Sequence, residues 1–258
     1  MLLAVDMGNT QTALGLFDQD VLAAAWRMPT DRTFTKDEIH VRLMGFFKMY
    51  GMELSCVDAV AFAGVVPQLV REWQLVCQQI GVPMLQVGPD TQGVTKIDAP
   101  NPAEVGADRI ANAVAAEAIY GSPCIVVDFG TATNIDVIDQ RGYYIGGAIA
   151  PGIRISMDAL TARAAKLASV SLEAPAHTIG RNTVEAVQSG AVVGAAAMAE
   201  GLVARIRREL GAPRAHVVAT GGLSGLVAEC TDIFDSIDRA LTLKGIREIW
   251  RRTQSMAD

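Results

Sequence analysis

The chain has few of the residues that build metal centres and nucleophilic dyads. Its four cysteines, Cys56, Cys77, Cys124 and Cys230, stand 21, 47 and 106 residues apart, and its only histidines are His40, His177 and His216. That distribution holds no zinc-ligand spacing and gives catalytic Cys/His pairing little support; the cysteines read as reduced thiols packed like small hydrophobes. Basic charge is also scarce. Against 28 Asp and Glu there are 22 Lys and Arg, the net charge is −6, and no basic cluster is interleaved with aromatics, so nucleic acid is not expected as a partner. No apolar run approaches the ~18 residues that span a bilayer, and no basic stretch precedes an apolar one at the N-terminus, where a strand begins at Leu2. The glycine-rich turns are not followed by Gly-Lys-Ser/Thr, which excludes a Walker-type phosphate loop. A soluble cytoplasmic protein of one or two domains is expected, with half of its 258 residues hydrophobic and sizeable cores within reach.

What the chain does have is one short pattern written twice. Cys124-Ile-Val-Val-Asp128-Phe-Gly130-Thr131-Ala-Thr133 is an apolar, β-branched run that ends in a carboxylate and a Gly/Thr-rich turn, the composition of a buried strand delivering an acid to a tight bend. Leu2-Leu-Ala-Val-Asp6-Met-Gly8-Asn9-Thr10 matches it position for position, with Asp6 falling on Asp128 at an offset of 122 residues. Each copy continues into a second apolar run and a polar turn, Leu14-Gly-Leu-Phe17 before Asp18-Gln-Asp20 and Ile135-Asp-Val-Ile138 before Asp139-Gln-Arg-Gly142. Two β-hairpins opening two related halves follow. The offset is too long for a solenoid, whose periods run to roughly 20–50 residues.

Along the first half the pattern predicts a third strand near residues 22–26. A helix follows, started by a Thr35/Glu38 capping box with Ile39, Leu43, Phe46 or Phe47, and Tyr50 on one face and Gly51 as its stop. A strand over 59–63 leads through Gly64-Val65-Val66-Pro67 into a helix burying Val70, Trp73, Val76 or Cys77, and Ile80 and ending at Gly81, before a short strand over 84–87. Residues 91–102, with Gly93, Pro100 and Pro102, read as a loop. Asn101, Pro102 and Glu104 read as N-cap, N1 and N3 of an Ala-rich helix to Tyr120, with Asp108 and Arg109 inside it. In the second half a helix is predicted over 156–168 and another from Asn182-Thr183-Val184-Glu185 to Gly211, then a strand at 217–220 entering Gly221-Gly222, and a closing amphipathic segment over 246–250. The strands before Gly64 and Gly221 lie 157 apart instead of 122, so about 35 inserted residues are expected in the helical stretch 156–210. The domains are drawn at 1–118 and 119–258.

Two strand-end carboxylates on repeated hairpins would face one another across a cleft between the halves. Such a pair can hold hydrated Mg²⁺, while turn N–H groups and the Asn9, Thr10, Thr131 and Thr133 side chains receive phosphate oxygens. Phosphoryl transfer needs chiefly this kind of positioning and charge stabilisation. Gly221-Gly222 reads either as a plain strand-to-helix turn or as bare backbone for an adenine or ribose. Asp108, taken alone, is equally a helix-surface acid beside Arg109.

Asp6-Met-Gly-Asn-Thr10, Gly106-Ala-Asp-Arg109, Asp128-Phe-Gly-Thr131, Gly146-Gly-Ala-Ile-Ala-Pro-Gly152 and Ala219-Thr-Gly-Gly222, in this order over nearly the whole chain, resemble the motif series of type III pantothenate kinase. The resemblance implies an α/β fold of two related ribonuclease-H-like domains of the actin-like ATPase superfamily, each a mixed sheet flanked by helices, with a central nucleotide cleft. It implies ATP-dependent phosphorylation of pantothenate to 4′-phosphopantothenate, the first step of coenzyme A synthesis, with Mg²⁺ or another divalent ion, a monovalent cation (K⁺ or NH₄⁺) and a homodimer. Asp6, Met7, Gly8, Asn9, Thr10, Gln11, Thr12 and Ala13 would cradle the phosphates, with Asp6 at the Mg-nucleotide; Thr131, Gly221 and Gly222 would add ATP contacts. Asp128 would coordinate the monovalent cation. Gly106, Ala107, Asp108, Arg109 and Thr183 would bind pantothenate, with Asp108 as general base.

Two positions depart from the family pattern: Asn134 stands where many members have threonine, and Ala99 where many carry a tyrosine at the pantothenate pocket. The competing readings are a regulatory protein of the same fold, akin to Bvg accessory factors, and another small-molecule kinase of the superfamily. An actin-like or chaperone ATPase does not suit so short a chain. The dimer is expected on the helix after Thr183, whose Gly190, Gly194, Ala197 and Gly201 form one small-residue strip permitting close helix approach.

Overall fold

The computed structural model describes residues 1–64, 66–88, 91, 96–163 and 170–256. It divides into two compact units, Met1–Ala115 with Leu241–Asp258, and Ala116–Ala240. The first runs β1 (Leu2–Met7), β2 (Gln11–Asp18), β3 (Val21–Pro29), α1 (Lys36–Met49), β4 (Ala59–Gly64), α2 (Pro67–Ile80) and β5 (Met84–Val87), the order of elements the sequence predicts. Its sheet has the order β3-β2-β1-β4-β5, an antiparallel meander with β4 and β5 added parallel to β1. Central β1 is almost wholly apolar because it is covered on both faces: Leu3, Ala4 and Val5 are fully buried.

One face of this sheet packs against α1 and α2. Thr35 and Glu38 form the complete capping box, and Ile39, Leu43 and Phe47 turn inward. Trp26 of β3 stacks on Phe46 and Phe47 with centroids at 6.0 and 5.2 Å, while Trp73 of α2 meets Phe62 at 5.8 Å. Tyr50, expected on the buried face, is exposed: it follows the last helical residue, and its ring meets Trp26 edge-on. Gly81, at φ 75°, closes α2 in the left-handed conformation that glycine adopts without strain.

α3 (Ala107–Tyr120) carries the chain into the second unit, which runs β6 (Cys124–Phe129), β7 (Ala132–Ile138), β8 (Tyr144–Pro151), α4 (Ile153–Arg163), α5 (Thr183–Gln188), a π-helical turn Ser189–Val193, α6 (Gly194–Glu209), β9 (His216–Thr220), α7 (Ser224–Ala228) and β10 (Ser236–Ile237). Its sheet, β8-β7-β6-β9-β10, repeats the topology of the first. β1 and β6 match at the 122-residue offset along their whole lengths, and β4 and β9 start 157 apart, which puts the extra residues in α4 to α6. Ile125, Val127, Phe129, Ile135 and Ile153 form a core with Ala195, Ala196, Ala199 and Val203 of α6.

The chain then returns to the first unit as α8 (Leu241–Ser255), lying on β1, β2 and β4. The second domain drawn from the sequence ran to residue 258; the compact unit stops at Ala240, because α8 buries Leu243, Ile246 and Ile249 against the first sheet. α5, the π turn and α6 form the one helix expected after Asn182, Thr183–Glu209, and its 27 residues include an 18-residue stretch apolar enough by composition to cross a membrane, although no uninterrupted apolar run suggests it. Val192, Ala195, Ala196, Ala199 and Val203 on its inner face are buried in the unit's own core. The helix predicted over 156–168 begins earlier, at Ile153; its positions 164–168, like Val65 and Gly93, lie outside the described residues.

Candidate active site

At the end of β1, Asp6 is half-buried and pairs with Ala13 of β2 and Ala63 of β4. The turn that follows is closed by Gly8 N–H donating to the Gln11 carbonyl at 3.0 Å, and the Thr10 carbonyl accepts from Thr30 N–H at 3.0 Å. Asn9, Thr10 and Gln11 are exposed. Met7 and Thr12 are not: both side chains are buried, and the Thr12 hydroxyl bonds that of Thr30 at 2.8 Å. Met7 and Thr12 therefore offer a ligand backbone only. The corresponding turn after β6 is one residue shorter, with Phe129 opposite Thr133 where Met7 is opposite Thr12, and it closes by Gly130 N–H on the Ala132 carbonyl at 3.0 Å. Thr131 at its tip is exposed, and Thr133 is buried.

The second acid is enclosed by glycine. Asp128 pairs with Thr220 of parallel β9, so its carboxylate lies beside the Gly221 turn. Gly221 has φ 89°, and a Cβ there would run into Asp128 Oδ1 and the Phe129 carbonyl oxygen; Gly130 approaches the same Oδ1 from the other side. A Cβ on Gly152 would strike the Gly130 and Thr131 carbonyls. Bare backbone at Gly221 thus lets the turn close on the carboxylate, and Gly152 packs on the Gly130 and Thr131 carbonyls. Ser224 locks the turn, its hydroxyl donating to the Gly221 carbonyl at 2.8 Å. The Pro151-Gly152 pair was legible as a motif, but its packing role was not, since nothing local in the sequence names the carbonyls it faces.

The helix expected from Asn101 does not form there. Pro102–Glu104 makes a single 3₁₀ turn, the Asn101 amide donates to Glu104 Oε1 at 2.8 Å in place of capping, and Val105 is extended. α3 starts after Gly106, whose carbonyl accepts the first helical bond from Ile110 at 3.0 Å. Asp108 and Arg109 are within the helix as expected, but in the first turn of α3 and both half-buried, not a turn or more past a start at Asn101. Asp108 folds back so that its Oδ1 accepts the Arg109 N–H at 2.9 Å, and a Cβ on Gly106 would lie 2.5 Å from that oxygen. Glycine leaves room there for the carboxylate it adjoins. α3 is held in turn by α8: Thr242 donates to the buried Asn112 at 2.8 Å, and Gly245 leaves room for the Ala111 carbonyl.

Thr183 is the first residue of α5, capped by Asn182, whose Oδ1 accepts Glu185 N–H at 2.9 Å. It is exposed and lines a cavity of about 650 Å³ with Arg181, Ser156, Met157 and Leu160. A methyl on Gly180 would overlap the Ala186 backbone, so the Gly180-to-Thr183 turn fits closely on α5. Among the described residues no three His, Cys, Asp or Glu side chains gather as a metal centre.

The family model for type III pantothenate kinase matches residues 2–205. Two curated relatives bearing that name, from Moorella thermoacetica and Thermomicrobium roseum, are 45% and 46% identical; each alignment covers 98% of this chain, and 99% and 97% of the relatives. Among solved structures, a Campylobacter jejuni protein ascribed to a Baf family of transcriptional activators is similar with a TM-score of 0.62 at 20% identity over 98% of this chain and 99% of that one. The activator of 2-hydroxyisocaproyl-CoA dehydratase from Clostridium difficile, solved with bound ADPNP, has a TM-score of 0.57 at 11% identity over 99% and 97%. At these identities the solved structures share the actin-like ATPase fold and nothing more specific.

Proposed function

The chain belongs to the type III pantothenate kinase family and phosphorylates pantothenate with ATP in coenzyme A biosynthesis, and from that premise we propose how its residues divide the work. Asp108 is the general base. The observation that carries this reading is the placement of Asp108 in the first turn of α3, half-buried, with its Oδ1 accepting the Arg109 N–H and lying in the space that Gly106 leaves open. Asp108 accepts the proton of the pantothenate hydroxyl as that oxygen bonds to the γ-phosphorus. The bond from the γ-phosphorus to its bridging oxygen breaks, and ADP leaves. Arg109 holds the pantothenate carboxylate, with Gly106 and Ala107 lining the approach, and Thr183 offers its hydroxyl to the substrate from the cavity it lines.

The Asp6–Ala13 turn receives the phosphates with its backbone N–H groups and the exposed Asn9, Thr10 and Gln11 side chains. Asp6 would hold the divalent ion, which would neutralise charge on the phosphates. Thr131, Gly221 and Gly222 contact the nucleotide. Asp128 would bind the monovalent cation, K⁺ or NH₄⁺, with its carboxylate beside the Gly221 turn. The homodimer forms through the outer face of the Thr183–Glu209 helix, where Gly190, Gly194 and Ala197 are exposed. A cytoplasmic location agrees with four free cysteines.

The test is an ADP-release assay with ATP, Mg²⁺ and pantothenate, with mass spectrometry for 4′-phosphopantothenate. Pantothenate should raise ATP turnover, K⁺ or NH₄⁺ should stimulate it, and Asp128→Asn should abolish the stimulation while the fold persists. Undiminished K⁺ stimulation in Asp128→Asn would remove Asp128 from the cation site.

A further inference from the structure

Arg239 follows β10 on the surface of the second unit, and among the described residues its guanidinium makes no hydrogen bond or ion pair. The neighbouring acid does not hold it: Asp238 is buried, accepting the Ala240 N–H at 3.0 Å and the Tyr120 hydroxyl at 3.4 Å. The guanidinium instead occupies space left by a missing side chain. A Cβ on Gly225 would collide with Arg239 Nη2 and lie 3.2 Å from Cζ and 3.6 Å from Nε. Gly225 is in the first turn of α7, three residues past Gly222, and the Ser224 hydroxyl ties that turn to the Gly221 carbonyl. The glycine in α7 thus leaves the guanidinium room to lie against the start of the helix.

We propose that Arg239 is a nucleotide-binding residue that stacks its guanidinium on the purine base of ATP beside the Gly221–Gly222 turn. This rests on the reading of that turn as a nucleotide contact. The base is the aromatic face of ATP, and the Gly221–Gly222 turn read as its contact stands three residues before the Gly225 against which this guanidinium lies. A planar guanidinium without a carboxylate partner is the side chain best suited to an aromatic face. Arg239 takes no part in the bond-making step, and its contribution is uniform binding of substrate and transition state.

Steady-state kinetics and inhibition by ADP and adenosine test the assignment. Arg239→Ala should raise the ATP KM about 3- to 30-fold, the range expected for a cation over an aromatic ring, with kcat and the pantothenate KM unchanged. It should weaken adenosine and ADP by the same factor; Arg239→Lys should fall between the two proteins. Gly225→Ala, whose methyl meets only the flexible end of Arg239, should raise the ATP KM by a smaller factor while the arginine remains. Gly222→Val separates the two layers of the argument. If it raises the ATP KM while Arg239→Ala changes neither KM nor inhibition, Arg239 is an ordinary surface residue and the turn stands. If neither variant moves the ATP KM, the nucleotide reading of the turn fails and takes the proposal with it. Weakened ADP with unchanged adenosine would place the guanidinium on phosphate and overturn the stacking assignment.

Discussion

Gly106→Ala separates the placement of Asp108 from the stability of the fold. The added methyl would stand 2.5 Å from Asp108 Oδ1, so the carboxylate must retreat by roughly 0.7–1 Å to reach an ordinary non-bonded separation. Gly106 is not in the left-handed region, so alanine meets no backbone strain there. Loss of the Asp108–Arg109 N–H bond costs about 0.5–1.5 kcal/mol, and the stiffer unfolded chain returns about 0.4–1 kcal/mol. The net change in stability is therefore within about 1 kcal/mol, or about 2–4 °C in Tm for a chain of this size. Catalysis is far less tolerant, because a displacement of about 1 Å at a reacting group costs on the order of 10²-fold, or about 2.7 kcal/mol. A coupled ADP-release assay with a thermal melt reads both quantities. Expected are a kcat lowered about 10²-fold, an ATP KM near that of the unaltered protein and a nearly unchanged Tm. A kcat within twofold of the unaltered protein would show that Asp108 is not held for chemistry by this contact.

Two further predictions concern the elements that support α3. Glu248, buried on α8, takes bonds of 2.7 and 2.8 Å from Arg251 and 2.8 Å from Arg252, and these hold its carboxyl down at about 2. A lowered folded value means stability that is fully present above the ordinary glutamate value near 4.5 and lost as pH falls toward 2. After discounting for the exposed Arg251 head, Glu248→Gln should cost about 1–2 kcal/mol at pH 7 in urea unfolding, and the deficit should shrink between pH 4.5 and pH 2; a pH-independent deficit would refute the ion-pair account. Gly245→Ala would force a methyl into the Ala111 carbonyl and should destabilise by about 2 kcal/mol or more, whereas Gly45→Ala on the open face of α1, with nothing within 4 Å, should gain up to about 1 kcal/mol. Equal melting temperatures for these two variants would contradict the α3–α8 packing.

The parts legible in the sequence are those decided by near neighbours. The Thr35/Glu38 capping box acts over three residues, and the acid-glycine ends of β1 and β6 follow four apolar positions, so both could be read without tertiary information. The first turn of α3 shows where this reading stops. Asn101-Pro102-Ala-Glu104 carries genuine helix-start chemistry and does form one 3₁₀ turn. α3 itself starts only after Val105 returns to the extended conformation, with the Gly106 carbonyl accepting its first bond. α8 declares an apolar face but not which sheet covers it; the Gly245–Ala111 contact settles that in space. Gly221 was legible as a turn glycine, but its packing on Asp128 and the Phe129 carbonyl was not, since those residues are about 90 positions away in the chain. The π turn at Ser189–Val193 had no recognised signal, and it coincides with the Ser189 hydroxyl donating to the Thr178 carbonyl at 2.6 Å.

The central claim is that Asp108 accepts the proton of the pantothenate hydroxyl, and single-turnover kinetics of Asp108→Asn test it most directly. Asparagine keeps the size of the side chain and removes the base, so phosphoryl transfer on the enzyme should slow by about 10²–10⁴, with pantothenate and ATP still bound. Arg109→Ala in the same experiment should leave the transfer step nearly intact and raise the pantothenate KM. A transfer rate in Asp108→Asn close to that of the unaltered protein would contradict the account and return Asp108 to the role of a polar residue in the first turn of α3.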